Sequence, residues 1–184
     1  MLKEEQHSDV ISNIMLRKGH RRFAEIGVWE GWMTERVLSN RAGRRLSEYW
    51  AVDYWNLLKA AYWRNWRYID MHEWDRKHSL VCAMMMRFPQ LKVVRLASVK
   101  AAEIFPNAYF DMVYIDADHS YNAVQGDIKA WLPKVKKGGY LAGHDYLHRD
   151  GTGRRSLCEV KPAVDDYFGN SVDILPFDVW VKKV

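Results

Sequence analysis

The sequence has few cysteines and no long apolar run. Its 184 residues include two cysteines, Cys82 and Cys158, which form no C-x-x-C pair. Neither a disulfide framework nor a zinc knuckle is therefore indicated, and we expect two reduced thiols in a cytoplasmic protein. No window approaches the roughly 18 apolar residues that a membrane span requires. The N-terminal segment carries acids and lacks an apolar core, which argues against a secretory signal peptide.

The sequence also lacks internal repeats, low-complexity tracts and a strong excess of one charge. Its net charge of +5 permits a polyanionic partner without requiring one. The length suggests a single domain over residues 1–184. Aromatic residues are plentiful, with nine tryptophans and ten tyrosines.

Short apolar strands alternate with helical segments along the chain. An N-terminal helix is predicted within residues 1–20, where apolar residues recur at helical spacing. Strands are predicted over residues 22–28, 49–55, 91–98, 111–118 and 140–144, with a closing pair within 171–184. Further helices are predicted after the first strand and over residues 77–88, 121–132 and 159–168. This alternation indicates an α/β fold, a doubly wound and mostly parallel sheet of seven strands, the last antiparallel.

Polar side chains gather where the predicted strands end. In a parallel sheet the carboxyl ends of the strands meet at one edge, and ligands bind in the crevice beyond it. The residues at these ends are Glu25, Asp53, Asp116, Asp118, His144 and Asp145. The repetition favours a ligand site over ordinary exits of strands to solvent.

Two glycines, Gly27 and Gly31, separate the first strand from its helix in a G-x-x-x-G spacing. Glycine in such a loop lets the backbone approach a ligand closely. Glu25, just before the loop, would repel the pyrophosphate that a dinucleotide fold binds here. Asp53, at the end of the second strand, suits the two hydroxyls of a ribose. The pattern favours a ligand with a ribose, a cationic amino-acid end and no phosphate, such as S-adenosylmethionine (SAM).

Four segments carry a resemblance to a known family. They are EIGVWEG (25–31), AVDYW (51–55), VYIDADHSYNAVQGDIKAWLPKVKKGGYLAGHDY (113–146) and KPAVDDYF (161–168). They resemble the class I SAM-dependent methyltransferases, in particular the small enzymes similar to macrocin O-methyltransferases and cephalosporin hydroxylases, and more distantly the catechol-type O-methyltransferases. The resemblance implies a Rossmann-like sheet with strand order 3-2-1-4-5-7-6.

The resemblance also implies which residues bind the cofactor. Glu25, Gly27 and Gly31 would line its methionine end, Asp53 would bind the ribose, and Asp116 would complete the cofactor pocket. Ser98 would touch the adenine, although the chain has Leu-Ala-Ser where the family often places an acid, so an acidic contact to the adenine amino group is missing. Trp29 stands where many methyltransferases have glycine; its side chain either covers the cofactor or packs on the protein, and we favour packing.

A metal ion or a histidine base would serve the acceptor. Asp116, His144 and Asp145 resemble the metal ligands of the catechol-type enzymes, with His144 in place of one of them, and would suit Mg²⁺ or Mn²⁺, with zinc as an alternative. Without a metal, His119 or His144 would act as the base beside Asp116. The structural alternatives are loop hydrogen bonds for both histidines and a helix cap for Asp118.

An aromatic and basic insert over residues 54–76 follows the ribose-binding position directly. It is interpreted as a lid or as an interface in a homodimer, with an ordinary amphipathic helix as the structural alternative. The function predicted is SAM-dependent methylation of a hydroxyl on a small molecule, a sugar or a secondary metabolite, without a membrane or nucleic-acid partner. A nucleic-acid methyltransferase and a non-catalytic SAM-binding or scaffold protein stay open as alternatives.

Overall fold

The computed structural model describes residues 6–56, 71–147, 158–169 and 171–184. The described helices are α1 His7–Lys18, α2 Trp32–Ser39, α3 Met71–Met84, α4 Ser98–Ala102, α5 Tyr121–Trp131 and α6 Val160–Phe168. The strands are β1 Arg22–Ile26, β2 Glu48–Asp53, β3 Leu91–Arg95, β4 Phe110–Ile115, β5 Val135–Gly143, β6 Asp173–Leu175 and β7 Val179–Lys183. Two short 3₁₀ turns cover Gly43–Arg45 and Leu132–Lys134.

The strands form one seven-stranded sheet in the order β3-β2-β1-β4-β5-β7-β6. The pairs from β3 to β5 are parallel, and β7 runs antiparallel to both β5 and β6. The predicted fold class, strand order and antiparallel last strand are thus confirmed.

Alternate residues of the central strands enter two separate apolar layers. In β1, Phe23 packs with α1, α2 and α3, while Ala24 and Ile26 pack with α4, α5 and α6. A sheet covered on both faces must be apolar on both, which explains the nearly continuous apolar runs of its strands. The polar side chains at the end of each strand are therefore the ones that can be exposed to a ligand.

Three elements differ from the sequence prediction. The fifth strand was predicted over residues 140–144, but β5 already begins at Val135, and Gly138 has a φ of +81° within it. Helix α3 begins at Met71 and ends at Met84, so the last part of the predicted 54–76 insert belongs to this helix. The five-residue α4 was not predicted. Residues 57–70 of the insert, and the prediction that they form a lid or interface, lie outside the described residues.

Helix α1 is fixed to α2 by polar contacts and by its apolar face. Asp9 binds Arg36 at 2.6 Å, and the Asn40 amide donates to the Ser12 hydroxyl at 2.7 Å. On the apolar face of α1, Ile11 is fully buried. None of the helices in the described part of the chain is long and apolar enough to cross a membrane.

Candidate active site

The carboxyl ends of β1, β2, β4 and β5 lie side by side, and the loops that leave them carry most of the predicted site residues. The loop after β1 turns sharply, with positive φ angles at Gly27, Trp29 and Gly31. A Cβ on Gly27 would lie 2.0 Å from the carbonyl oxygen of Asp116. Gly27 is therefore required because the first loop passes directly against the end of β4, whatever ligand is bound.

Asp53 organises this loop through its carboxylate. Its Oδ2 accepts hydrogen bonds from the backbone N–H of Val28 at 2.8 Å and of Trp29 at 2.9 Å, and Oδ1 accepts from Trp55 N–H at 2.9 Å. The loop thus turns its N–H groups toward a carboxylate of the protein rather than toward a bound anion. A carboxylate offers about four lone-pair sites, so one stays available for a further donor.

The Trp29 side chain packs against α3. Its ring meets Trp74 edge to face, with centroids 5.2 Å apart, and the Lys77 ammonium lies 4.2 Å from its centroid. Lys77 is buried and also contacts Glu30 of the same loop. Trp55, fully buried, donates its indole N–H to the Trp29 carbonyl at 2.8 Å. The position of Trp29 agrees with the packing interpretation.

Glu25 lies inside the sheet layer rather than on the crevice surface, with 2% of the residue exposed. Its Oε2 accepts the hydroxyls of Thr34 and Tyr49, each at 2.5 Å. Burial raises the pKa of Glu25 to about 8, against the lowering effect of these two hydrogen bonds. Its predicted contact with the methionine end of a cofactor stays a prediction.

Ser98 sits at the start of α4, and its hydroxyl faces α5. It donates to Asp127 Oδ1 at 2.5 Å and accepts from Trp131 Nε1 at 2.9 Å. Burial raises the pKa of Asp127 to about 7. The sequence analysis did not single out Asp127. The role of Ser98 at the adenine stays a prediction, and its hydroxyl already joins two helices.

The ends of β4 and β5 bring four predicted residues together. His119 Nε2 lies 3.3 Å from Asp116 Oδ1 and 3.3 Å from Asp145 Oδ2. His144 Nδ1 lies 3.6 Å from Asp116 Oδ2 and 3.5 Å from Asp145 Oδ1. One ligand atom from each of Asp116, His144 and Asp145 lies within 4.8 Å of the others, so the predicted metal triad has the geometry to share an ion.

The charges in this cluster favour ion pairing. Although burial opposes both shifts, the hydrogen bond and charge of Asp116 raise the pKa of His119, and His119 lowers the pKa of Asp116 in turn. Asp118 takes another role, since its Oδ1 accepts the Ser120 backbone N–H at 2.8 Å at the start of α5. Ser120 is the N-cap residue of α5, so Asp118 closes a turn before the helix rather than capping one of its first N–H groups.

His7, the first residue of α1, is a site residue that the sequence analysis missed. Its ring packs against that of His144 with centroids 4.4 Å apart, and stacks near Tyr114 at 6.1 Å. Burial and the neighbouring His144 lower the pKa of His7. No local pattern could have found it, because only the docking of α1 on α2 brings it to β5.

Comparisons with known proteins bear on this arrangement. A family model described as a methyltransferase domain matches residues 24–146. No curated protein sequence matches the chain. Similar solved structures include a Staphylococcus aureus protein assigned as a caffeoyl-CoA O-methyltransferase, with 14% identity, a TM-score of 0.66, and coverage of 100% of this chain and 86% of that one.

Two further structures are similar over most of the chain. A Bacillus cereus O-methyltransferase in complex with SAH has 14% identity, a TM-score of 0.62, and coverage of 98% and 82% of the two chains. An SAH-bound methyltransferase from Podospora anserina has 12% identity, a TM-score of 0.66, and coverage of 96% and 76%. At these identities the likeness establishes the fold.

Proposed function

Because the chain belongs to the methyltransferase-domain family, whose model spans residues 24–146, we propose that it transfers the methyl group of SAM to a hydroxyl oxygen of a small molecule. The family membership agrees with the resemblance seen in the sequence. The oxygen acceptor is supported by similar folds, since the Bacillus cereus protein is an O-methyltransferase in complex with SAH.

The observation that carries the proposal is the orientation of the first loop. Its N–H groups at Val28 and Trp29 are bound by Asp53, so they are not available to the pyrophosphate of a dinucleotide. Carboxylates rather than N–H donors therefore dominate this edge, and an acidic edge suits the sulfonium and ammonium groups of SAM. The remaining lone pair of Asp53 would accept a ribose hydroxyl.

When bound, SAM supplies a methyl group on a sulfonium that is already a good leaving group. The residues of the chain then have two tasks, to hold the acceptor oxygen in line with the methyl carbon and to manage its proton. A divalent ion held by Asp116, His144 and Asp145 would lower the pKa of the acceptor hydroxyl. Alternatively, His119 or His144 takes the proton, and the carboxylates of Asp116 and Asp145 stabilise the imidazolium.

The proposal is tested by calorimetric titration with SAM, SAH and NAD. We expect SAM and SAH to bind and NAD not to bind. Asp53→Asn should weaken the affinity for SAM by about tenfold or more, which corresponds to the loss of a charged hydrogen bond worth about 1.5–3 kcal/mol.

Asp111→Asn is the matched control for this titration. Asp111 also accepts two backbone N–H groups, from Arg21 and Arg22, both at 2.8 Å, but it lies at the opposite end of β4. Its substitution should leave the affinity for SAM unchanged. Binding of NAD in place of SAM would refute the proposal, and binding of SAM without turnover of any hydroxyl acceptor would favour a non-catalytic protein.

A further inference from the structure

The edge of the sheet opposite the candidate active site is strongly basic. The connections that lead from helices back to strands meet there, at the amino ends of the parallel strands. This edge lies about 15–20 Å from the crevice, because β1, β2 and β4 have five or six residues each. In the last turn of α1 and in the connections into β1 and β2, six basic side chains are exposed: Arg17, Lys18, Arg21, Arg41, Arg44 and Arg45.

The same charge continues across the sheet. Lys92 is the second residue of β3, Lys137 lies near the start of β5, and Lys183 ends the antiparallel β7; all three are exposed. The row of strands from β3 to β7 is about 24 Å across, at a spacing of about 4.8 Å. The band stops at β7, because β6 begins with the exposed Asp173. These nine cations are called the basic edge below.

The acids of this region leave the basic edge without carboxylate partners. The described connections into β1 to β5, with the first residues of those strands, contain three acids, and each is bound by a different cation, in the pairs Glu48–Arg22, Glu103–Lys100 and Asp111–Lys136. Within the described part of the chain, no member of the basic edge forms an ion pair. The net charge of the whole chain is only +5, so the positive excess is concentrated on this edge, which attracts an anionic partner.

Two exposed apolar side chains accompany these charges. Met86 is 91% exposed in the connection into β3, and Ile104 is 53% exposed in the connection into β4. Basic side chains together with exposed apolar ones suit the surface of an anionic bilayer, where the headgroups meet the acyl chains. A chain without a long apolar run can bind in this way, because docking on the surface needs no spanning segment.

The aromatic rings near this edge argue against a nucleic-acid strand. Proteins hold single strands by stacking the bases on accessible aromatic rings. Here three half-buried rings are covered by cations of the protein itself, in the pairs Arg22–Tyr109, Lys92–Trp50 and Lys18–Tyr140, at 4.5, 5.7 and 6.0 Å from cation to ring centroid. The edge therefore offers charge and apolar side chains rather than platforms for bases.

We propose that the basic edge, with Met86 and Ile104, docks the protein on an anionic lipid surface. The crevice lies at the other end of the strands, so it faces away from the lipid and stays open to water-soluble ligands. This inference goes beyond the proposed function, because it concerns a separate surface and a different partner.

The test is cosedimentation of the protein with vesicles of phosphatidylcholine that contain about one quarter phosphatidylglycerol, compared with vesicles of phosphatidylcholine alone. We expect binding to the anionic vesicles only, and its loss at about 1 M salt, where the Debye length is about 3 Å. The triple variant Arg41→Gln, Arg44→Gln, Arg45→Gln should bind about tenfold more weakly or worse, because each basic residue near an anionic surface contributes about fivefold.

The matched control is the triple variant Arg76→Gln, Lys100→Gln, Lys161→Gln. It removes the same charge from exposed cations outside the basic edge and should change binding by less than about twofold. Met86→Ser should weaken binding, whereas Met71→Ser, at the crevice end of α3, should not.

Several results would overturn the inference. They are equal binding to both kinds of vesicle, equal losses in the two triple variants or in the two methionine variants, and displacement from the anionic vesicles by duplex RNA at an equal concentration of phosphate. The vesicle and salt comparisons use the unchanged protein, so they decide the matter even if a variant does not fold. The affinity for SAM should be the same in the arginine variant as in the wild type, so this inference and the proposed function fail independently.

Discussion

The buried carboxyl of Glu25 should make the stability of the protein depend on pH in a specific way. The perturbation is Glu25→Gln, which keeps the shape of the side chain and an oxygen for the Thr34 and Tyr49 hydroxyls but removes the ionisable proton. The folded carboxyl has a pKa of about 8, raised mainly by burial, against an ordinary value of 4.5. A group with a raised pKa stays protonated in the folded protein after it has ionised in the unfolded chain.

The sign and size of the pH dependence follow from the difference between the folded and the ordinary pKa of Glu25. Below pH 4.5 both states are protonated, and the group adds no dependence on pH. Between pH 4.5 and about 8, the free energy of unfolding falls by about 1.36 kcal/mol for each pH unit. Above that range the loss levels off at about 5 kcal/mol. The variant lacks this loss, although its buried amide N–H groups cost about 1–3 kcal/mol at every pH.

The assay is urea unfolding of both proteins at two pH values, about two units apart and both inside this window. Because all other ionisable groups are shared, their contributions largely cancel in the difference between the proteins. The free energy of unfolding of the variant minus that of the wild type should be about 2–3 kcal/mol larger at the higher pH than at the lower pH. Glu103→Gln, which changes an exposed glutamate, should show no such gain. A difference for Glu25→Gln that stays constant with pH would refute the reasoning.

Three further predictions concern the packing around the crevice. Gly27→Ala should destabilise the protein by more than about 2 kcal/mol and abolish SAM binding, because the new Cβ would lie 2.0 Å from a backbone oxygen. In Gly31→Ala the new Cβ meets flexible side chains at 3.0 Å, so this variant should lose less stability when both are compared by thermal unfolding. Ser98→Ala should lower the free energy of unfolding by about 1–3 kcal/mol, because a buried carboxylate and an indole both lose their partner; no change on urea unfolding would contradict the contacts. Lys77→Met should cost about 1–3 kcal/mol, because Glu30 loses its buried ion-pair partner and keeps only the exposed Arg76 guanidinium at 3.5 Å. Lys100→Met, which breaks an exposed ion pair, should stay within about 0.5 kcal/mol, and equal costs would refute the distinction.

Much of the fold was predictable because its information is local. Apolar runs that end in Glu25, Asp53, Asp116 and Asp145 predicted parallel strands and the edge at which their polar residues meet. Where local information conflicts with pairing, the prediction was wrong. The fifth strand was predicted to begin at residue 140, yet Val135 already pairs with Phe110 of β4 and so belongs to the sheet.

The site was predictable in its members and less so in their roles. Asp53 was predicted as a ribose ligand, and the structure adds that it holds the first loop through three backbone N–H groups. Gly27 was predicted to make room for a ligand, and it also makes room for the backbone at Asp116. A sequence motif specifies which residues recur at a site, but not which of their lone pairs the protein itself already uses.

The sequence by itself determined the class of fold, the strand ends that carry the acids, and the family to which the chain belongs, because these depend on periodicity and on short contiguous motifs. Only the tertiary structure decided that His7 reaches His144 and that His119 shares both carboxylates with it. It alone also revealed the partnership of Ser98 with Asp127. These contacts join residues on different helices and loops, and their distances are set by how α1, α4 and α5 pack on the sheet. No local pattern in the chain encodes such distances.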